Sequence, residues 1–186
     1  MTTTGNYSFP SIETERLSLQ PLAVEHADFI FRHFSNSAVT QYLLDEPPVT
    51  NYAQAEEIVQ FYLDSAGKSY NRWVMVQKSD NQPIGTCGYH KWDKRNVRAE
   101  IGYDLNPNFW GKAYMTEALN AIIANGFLKR GLNRIEALVY VENNRSIRLL
   151  QRLGFRQEGV LRDYYYSDAN FYDHCLFSLI RKEWKT

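Results

Sequence analysis

The sequence predicts an α/β fold of the α+β type: a mixed, mostly antiparallel, twisted sheet of about seven strands flanked by about four helices. Strand and helix periodicities follow one another in the order β-α-α-β-β-β-α-β-α-β-β. Three consecutive strands before the longest helix indicate antiparallel neighbours, whereas the strand-helix-strand unit around that helix indicates one parallel pair. A chain of 186 residues forms one sizeable core and is short for two, so a single domain over 1–186 is expected.

The first half of the chain contains one strand, two amphipathic helices and a hairpin. Residues 16–22 alternate polar and apolar side chains, which predicts a strand. Apolar residues then recur at helical spacing within 27–34 and again within 55–62. Residues 70–78 and 83–92 alternate on either side of a short polar segment, which is typical of a β-hairpin.

The second half begins with a strand, 99–107, whose two faces differ in chemistry. Strand alternation puts one set of side chains on one face (Ala99, Ile101, Tyr103 and Leu105) and a second set on the other (Glu100, Gly102 and Asp104). Apolar residues at helical spacing over 115–127 then predict the longest helix. A strand at 134–142, a helix ending at Gly154 and two final strands complete the chain.

Composition narrows the classes of partner. Lys and Arg number 21, as do Asp and Glu, so no global field attracts nucleic acid or an anionic membrane, and neither partner is expected. Cys87 and Cys175 are too few for a disulfide scaffold and lack zinc-ligand spacing, so we expect free thiols and no metal. The first residues lack the basic and apolar regions of a leader, which favours a cytoplasmic protein.

The segment NFWGKA (108–113) lies between a strand and the start of the longest helix. Gly111 removes side-chain bulk there, and the free N–H groups of a helix start attract anions. The segment therefore predicts a phosphate or pyrophosphate site, with a plain strand-to-helix turn as the alternative. Neither G-x-x-x-x-G-K-[ST] nor G-x-G-x-x-G occurs, so an anion other than an NTP or NAD is expected.

A second polar cluster, Asn143, Asn144 and Ser146, precedes the next helix. Helix capping accounts for one of the three side chains and does not need them all. If the strand before Asn143 is parallel to the strand ending at Pro107, the two strand ends form a crevice that holds ligands in open sheets. Both polar segments then face one ligand.

Both segments resemble the GCN-five-related N-acetyltransferases (GNAT). NFWGKA is similar to the acetyl-CoA pyrophosphate loop [Q/R]-x-x-G-x-[G/A], matching at Gly111 and Ala113, with Asn108 in place of Gln or Arg. The resemblance to the RimJ/RimL branch spans nearly the whole chain through TERLSLQPL, AEIGYDLNPNFWGKAYMTEAL, NRIEALVYVENNRSIRLLQRLGFRQEG and RDYYYSDANFYDHCLFSL. That branch acetylates α-amino groups of ribosomal proteins.

The resemblance implies a GNAT fold in which a splayed parallel strand pair forms the crevice for acetyl-CoA, the cosubstrate. It implies that the loop holds the pyrophosphate, that Asn144 contacts the pantetheine arm, and that Ser146 lies near the sulfur. The implied cofactor-binding residues are Ile101, Tyr103, Leu105, Trp110, Gly111, Lys112, Ala113, Tyr114, Met115, Asn144 and Ser146. Transfer is expected to be direct, to a primary amine, without an acyl-enzyme.

Acyl transfer to an amine needs a neutral amine and a proton for the departing thiolate. Glu100 is the candidate base, acting directly or through water, with Asp173 as the alternative, and Ser146 is the candidate donor to the thiolate. The alternative for Glu100 is a solvated or salt-bridged carboxylate, for instance with Arg98. His174 is expected to be structural rather than to abstract protons.

Tyr42, Trp92 and Tyr165 are candidates, with Glu100, for the walls of an acceptor cleft, although aromatic residues also simply pack helices onto sheets. The acceptor itself stays open: a protein N-terminus, a polyamine, an aminoglycoside or an amino-acid analogue. A non-catalytic acyl-CoA-binding module is the alternative from a different class. The protein is expected to be a monomer or a homodimer.

Overall fold

The computed structural model describes residues 9–44 and 47–185, and one eight-stranded mixed sheet organises this part of the chain. The prediction that a leader is lacking concerns the first ten residues, of which 1–8 lie outside the described part. The strands are β1 (Ile12–Glu13), β2 (Leu17–Pro21), β3 (Trp73–Gln77), β4 (Gln82–Asp93), β5 (Arg98–Leu105), β6 (Arg134–Tyr140), β7 (Arg156–Ser167) and β8 (Asn170–Ile180). Their order across the sheet is β1-β2-β3-β4-β5-β6-β8-β7, and all pairs are antiparallel except β5–β6. The predicted mixed sheet with one parallel pair is confirmed.

Within the described residues, five α-helices flank the sheet: α1 (Ala27–Phe34), α2 (Ser37–Thr40), α3 (Tyr52–Ser65), α4 (Tyr114–Leu128) and α5 (Asn144–Arg152). The sequence predicted four of them and seven of the strands. The additions are α2, a single turn, and β1, a strand of two residues. Neither is long enough to produce a periodic pattern, so hydrophobic periodicity could not predict them.

Each face of the sheet is covered by its own helices. On one face α4 and α5 enclose the larger core, in which Tyr89, Ile122 and Phe127 are fully buried. On the other face α1 and α3 enclose a smaller core around Ile30 and Val74. The predicted apolar stripe of α4 is buried throughout, from Met115 to Phe127. The layers are therefore helix, sheet and helix, and a residue of β5 points into one layer or the other according to strand alternation.

The parallel strands β5 and β6 are hydrogen-bonded over only a short stretch and then diverge. Their paired residues run only from Arg98 and Arg134 to Glu100 and Glu136. Beyond that point β5 stays paired with β4 as far as Leu105, while β6 stays paired with β8. A crevice therefore opens between the two strands from Glu100 onward, and the predicted splayed pair is confirmed.

Candidate active site

The loop between β5 and α4 forms one end of the crevice. The Trp110 indole N–H donates to the Leu105 carbonyl at 2.8 Å, which anchors the loop to the end of β5. Gly111 and Ala113 follow with positive φ angles of 75° and 62°. Ala113 is the N-cap residue of α4 and has no side-chain oxygen to bond the first helical N–H groups. The N–H groups of this helix start are thus left for another acceptor.

Open space lies beside Gly111. A Cβ atom built on this glycine meets no atom within 4 Å, so the surface of the loop is unobstructed there. Its φ angle is one that residues with a side chain rarely adopt. Both properties suit a backbone that a phosphate approaches closely.

Three cationic side chains surround this loop. Arg145, from α5, stacks on the Trp110 ring at 4.1 Å and so links the loop to the opposite wall of the crevice. Arg16 donates to the Lys112 carbonyl at 2.9 Å and is itself bound by Glu117 at 2.7 Å. Lys112 lies over the Phe109 ring at 5.4 Å. The charge near the loop is therefore mostly positive, as an anion site requires.

Tyr103 and Ser146 meet across the crevice. Their hydroxyl oxygens are 2.6 Å apart, which joins β5 to the first turn of α5. Asn143 is the residue that caps α5, since its side chain accepts from the Ser146 N–H at 3.1 Å. Asn144, predicted to contact the pantetheine arm, is exposed, and its side-chain amide donates to the Glu142 carbonyl at 3.2 Å. Capping thus accounts for Asn143 and leaves the Ser146 hydroxyl facing Tyr103.

Glu100 occupies the opposite face of β5, at the closed end of the crevice. Its side chain is 15% exposed and forms an ion pair with Lys91 at 3.0 Å. The alternative of a salt-bridged carboxylate thus describes this side chain, with Lys91 as partner rather than the suggested Arg98, which pairs with Asp93 at 3.7 Å and with Glu136 at 3.4 Å. Glu100 is therefore a partly buried carboxylate held by a cation from the neighbouring strand.

A group of aromatic side chains lies on the same face of the sheet as Glu100. Tyr42 contacts Tyr140 with ring centroids 5.8 Å apart, and Tyr140 in turn contacts His174 at 5.8 Å. Tyr165 packs on His174 at 4.7 Å. Two of the predicted cleft residues, Tyr42 and Tyr165, are thus connected through the rings of Tyr140 and His174. His174 is buried in this packing, which is consistent with a structural role.

Trp92, predicted to line the same cleft, lies on the other face of the sheet. Its ring packs against Phe9 at 5.9 Å and Tyr89 at 6.4 Å, next to the core beneath α4. The physical reason is a bulge in β4, where the register with β5 shifts between His90 and Asp93. The extra residue reverses the faces that strict alternation assigns to Lys91 and Trp92.

A buried polar network, which the sequence analysis missed, lies beneath α1 and α3. Asp104 accepts hydrogen bonds from Thr86 and His33, each at 2.6 Å, and from Arg72 at 3.2 Å. Burial alone raises the pKa of Asp104, but the charge of His33 and these hydrogen bonds outweigh burial and hold it below its usual range. His33 and Arg72 are distant from Asp104 in sequence, and the one available sign was a carboxylate on the polar face of β5.

His90 continues this network toward Glu100. Its Nε2 atom lies 3.1 Å from both the Arg72 guanidinium and the Tyr62 hydroxyl. Burial, reinforced by the charge of Arg72, lowers the pKa of His90 to about 3, so the ring is neutral. The ring rests on Gly102, where a Cβ atom would lie 2.5 Å from Cε1, and His90 is the direct partner of Glu100 across the strands.

The two cysteines are buried free thiols, as predicted. Burial raises the pKa of Cys87 and of Cys175, which disfavours the thiolate that an acyl carrier needs. Within residues 9–44 and 47–185, no cluster of three or more His, Cys, Asp or Glu side chains is arranged to hold a metal. No helix in that same part of the chain combines the length and apolarity needed to span a membrane.

Comparison with known proteins agrees with this geometry. A family model described as an acetyltransferase (GNAT) domain matches residues 16–156. The chain is 41% identical to the uncharacterized N-acetyltransferase p20 of Bacillus licheniformis over 175 residues, which cover 94% of this chain and 98% of the relative.

Two solved structures share the fold. The ribosomal-protein-S5-alanine acetyltransferase of Vibrio fischeri superposes with a TM-score of 0.78 and 26% identity, covering 95% of this chain and 99% of the other. Spermidine N-acetyltransferase of Vibrio cholerae, in complex with CoA and spermine, superposes with a TM-score of 0.81 and 20% identity. The match covers 91% of this chain and 98% of the other. The chain belongs to the GNAT family of N-acetyltransferases.

Proposed function

We propose that this enzyme transfers an acetyl group from acetyl-CoA directly to a primary amine, foremost the N-terminal α-amino group of a protein. The observation that carries the proposal is the crevice between β5 and β6, which has a helix start at one end and Glu100 at the other. The cosubstrate and the acceptor amine then approach the closed end of the crevice from opposite faces of the sheet.

The cosubstrate site is supported by the backbone. Residues Ile101, Tyr103 and Leu105 lie on the part of β5 that β6 no longer pairs, so an extended pantetheine arm has strand-edge groups to bond. The pyrophosphate is assigned to the N–H groups from Trp110 to Met115, beside the open space at Gly111. Lys112 and Arg145 add positive charge there.

The chemistry is assigned to hydroxyl and carboxylate side chains rather than to a thiol. Glu100 accepts a proton from the acceptor ammonium, directly or through water, so that the nitrogen lone pair attacks the thioester carbonyl. The role of stabilising and protonating the departing thiolate is assigned to the Ser146 hydroxyl, which is bonded to Tyr103. Because both cysteines are buried with raised pKa values, a direct transfer without an acyl-enzyme is favoured.

The assignment to a protein N-terminus rests on the relatives. The S5-alanine acetyltransferase shares 26% of its sequence with this chain, whereas the polyamine enzyme shares 20%, which supports likeness of fold alone. The tyrosine-lined group around Tyr42 and Tyr165 offers flat, uncharged surface for the first side chains of a peptide. A small amine such as a polyamine is the second candidate.

The test is an acceptor screen with acetyl-CoA. Peptides with an N-terminal Ala, the same peptides with a blocked N-terminus, and spermidine are compared by mass spectrometry of the product and by release of the CoA thiol. We expect acetylation of the free N-terminus and none of the blocked peptide. Acetyl-CoA binding without acetylation of any amine would instead indicate a binding module.

A further inference from the structure

We propose that Lys91 is an internal acetyl acceptor, so that without an external amine the enzyme acetylates the Nζ atom of its own Lys91. This inference rests on the proposed function, because it uses the same cosubstrate and the same base. Its basis is the position of the Lys91 ammonium, 3.0 Å from the Glu100 carboxylate. An acceptor ammonium that gives its proton directly to Glu100 occupies this same place.

The position of Lys91 is set by the backbone. Lys91 lies in the bulge of β4 with a φ angle of 48°, a left-handed conformation that is uncommon for a residue with a side chain. Without the bulge, alternation from His90 would direct the Lys91 side chain to the opposite face of the sheet. The local irregularity therefore brings an amine to the carboxylate that is assigned as the base.

Lys91 also belongs to the predicted acceptor region. The hydroxyls of Tyr164 and Tyr165 are near enough to influence the pKa of Lys91, which connects this lysine to the aromatic group. Glu100 is the last residue of β5 that pairs with β6, so Lys91 sits at the closed end of the crevice. Its side chain is 49% exposed, which leaves room for the Nζ atom to move onto a neighbouring carbonyl.

The proposed step balances without any further reactant. The Lys91 ammonium gives one proton to the Glu100 carboxylate, and the nitrogen lone pair forms a bond to the acetyl carbonyl carbon. The carbon–sulfur bond breaks, and the thiolate takes the second proton that the nitrogen loses. The products are Nζ-acetyl-lysine, the CoA thiol and one proton released from Glu100 to solvent.

Self-acetylation has a defined pH dependence. Burial lowers the pKa of Lys91, but the charge and hydrogen bond of Glu100 outweigh burial and hold it above its usual value, so the nitrogen is protonated at neutral pH. Only the neutral amine reacts, so the rate is expected to rise about tenfold per pH unit between pH 7 and 9. The product amide carries no charge, and the ion pair with Glu100 is lost.

The experiment incubates the full chain with acetyl-CoA and no other amine, follows intact mass, and locates the acetyl group by peptide mass spectrometry. We expect acetylation of Lys91 with a first-order rate that does not depend on protein concentration. Lys94 is the matched control, because it lies on the same segment but bonds the Gly67 carbonyl at 2.7 Å. Lys91→Arg should accumulate no acetyl group, and Glu100→Gln should slow the reaction at Lys91 by at least about tenfold.

Equal acetylation of Lys91 and Lys94 would mean simple chemical acetylation and would overturn the inference. An unchanged rate in Glu100→Gln would do the same. If the acceptor screen shows turnover while Lys91 stays unmodified, the inference fails and the proposed function stands. If neither reaction occurs, both fail.

Discussion

The two faces of β5 carry different chemical groups, because alternate residues of the strand point to opposite sides of the sheet. On the face toward α4 and α5, Tyr103 meets Ser146 through uncharged hydroxyls, and the adjoining loop offers backbone N–H groups. On the face toward α1 and α3, Glu100 and Asp104 are ionisable, and they form ion pairs with Lys91 and Arg72, respectively. The first face suits a ligand that brings its own charge, and the second suits proton transfer.

The charged face depends on long-range contacts. A buried carboxylate is costly unless opposite charges and hydrogen-bond donors surround it. Asp104 obtains these partners from α1, β4 and the segment before β3. The uncharged face needs far fewer long-range contacts, because hydrogen bonds between residues that are close in sequence satisfy its loop and helix cap. Trp110 bonds the Leu105 carbonyl, and Asn143 accepts from the Ser146 N–H. Substitutions on the charged face should therefore change proton transfer and pH behaviour, while those on the uncharged face should change either the binding of acetyl-CoA at the loop or the departure of its thiolate.

The largest effect is expected for Glu100→Gln, which removes the proposed base but keeps the shape of the side chain. We expect kcat/KM for the amine to fall by roughly 10²–10⁴-fold, with partial recovery at alkaline pH, where more of the amine is already neutral. Glu136→Gln is the matched control, because Glu136 is the direct partner of Glu100 on β6 and pairs with Arg134 instead. Wild-type kinetics in Glu100→Gln at neutral pH would transfer the proton-accepting role to water or to Asp173.

A smaller effect is expected for Ser146→Ala on the opposite face. A hydrogen bond to a developing thiolate acts mainly in the transition state, so kcat should fall by about 10–100-fold, as expected for hydrogen bonds to charged groups. The Kd of acetyl-CoA should change little, because Asn143 still caps the backbone N–H of this residue. The measurement is steady-state kinetics together with calorimetric binding. A raised KM at unchanged kcat would make Ser146 a binding residue only.

How much of this arrangement the sequence predicted depends on the range of the interactions. The loop from Trp110 to Ala113, the helix start after it and the polar cluster before α5 were predictable, because each is built from neighbouring residues. The strand faces of β5 followed from alternation. The side of the crevice that we assign to acetyl-CoA thus has a local signature that a single sequence carries.

The charged side has no such signature. The pairing of Asp104 with His33 joins residues 71 positions apart, and no spacing rule anticipates it. The ion pair of Glu100 with Lys91 depends on the bulge in β4. The same bulge explains why Trp92, contrary to the prediction from sequence, does not line the acceptor cleft. A single extra residue reverses every later assignment of strand faces, so period-2 reasoning fails just beyond it.

A third prediction concerns His90 and the pH dependence of stability. The folded-state pKa is lowered from 6.5 to about 3, so below pH 6.5 the unfolded chain binds a proton that the folded chain does not. Stability linked to His90 is therefore fully present above pH 6.5 and is lost as the pH falls toward 3. At pH 5 the expected loss is about 2 kcal/mol relative to pH 7.

The measurement is urea unfolding of wild type and His90→Gln at pH 7 and pH 5. Glutamine keeps an acceptor for the Arg72 guanidinium but does not titrate in this range, so the variant should lose about 2 kcal/mol less than wild type between the two pH values. Asp104 does not contribute to this difference, because its pKa is lowered from a value already below pH 5. Identical pH dependence in both chains would show that His90 is not the group responsible.

The smallest effects come from two residues of the loop with positive φ angles, and they should have opposite signs. Gly111 and Ala113 have φ of 75° and 62°, a region that costs a residue with a side chain about 1–2 kcal/mol. Ala113→Gly removes that strain at the N-cap of α4 and, after the greater unfolded-state entropy of glycine, should stabilise the chain by at most about 1 kcal/mol. Gly111→Val introduces the strain and should destabilise it by about the same amount.

Binding separates the two changes further. A side chain at Gly111 enters space that is open in this structure, so its effect on stability comes from φ alone, whereas its effect on acetyl-CoA comes from blocking the approach of the pyrophosphate to the backbone. We expect Gly111→Val to weaken CoA binding by at least about tenfold in calorimetry, a loss of about 1.4 kcal/mol, while Ala113→Gly leaves it within about twofold. Equal CoA affinity in wild type and Gly111→Val would show that the pyrophosphate does not bind this loop. The positive φ angles would then be features of an ordinary strand-to-helix turn.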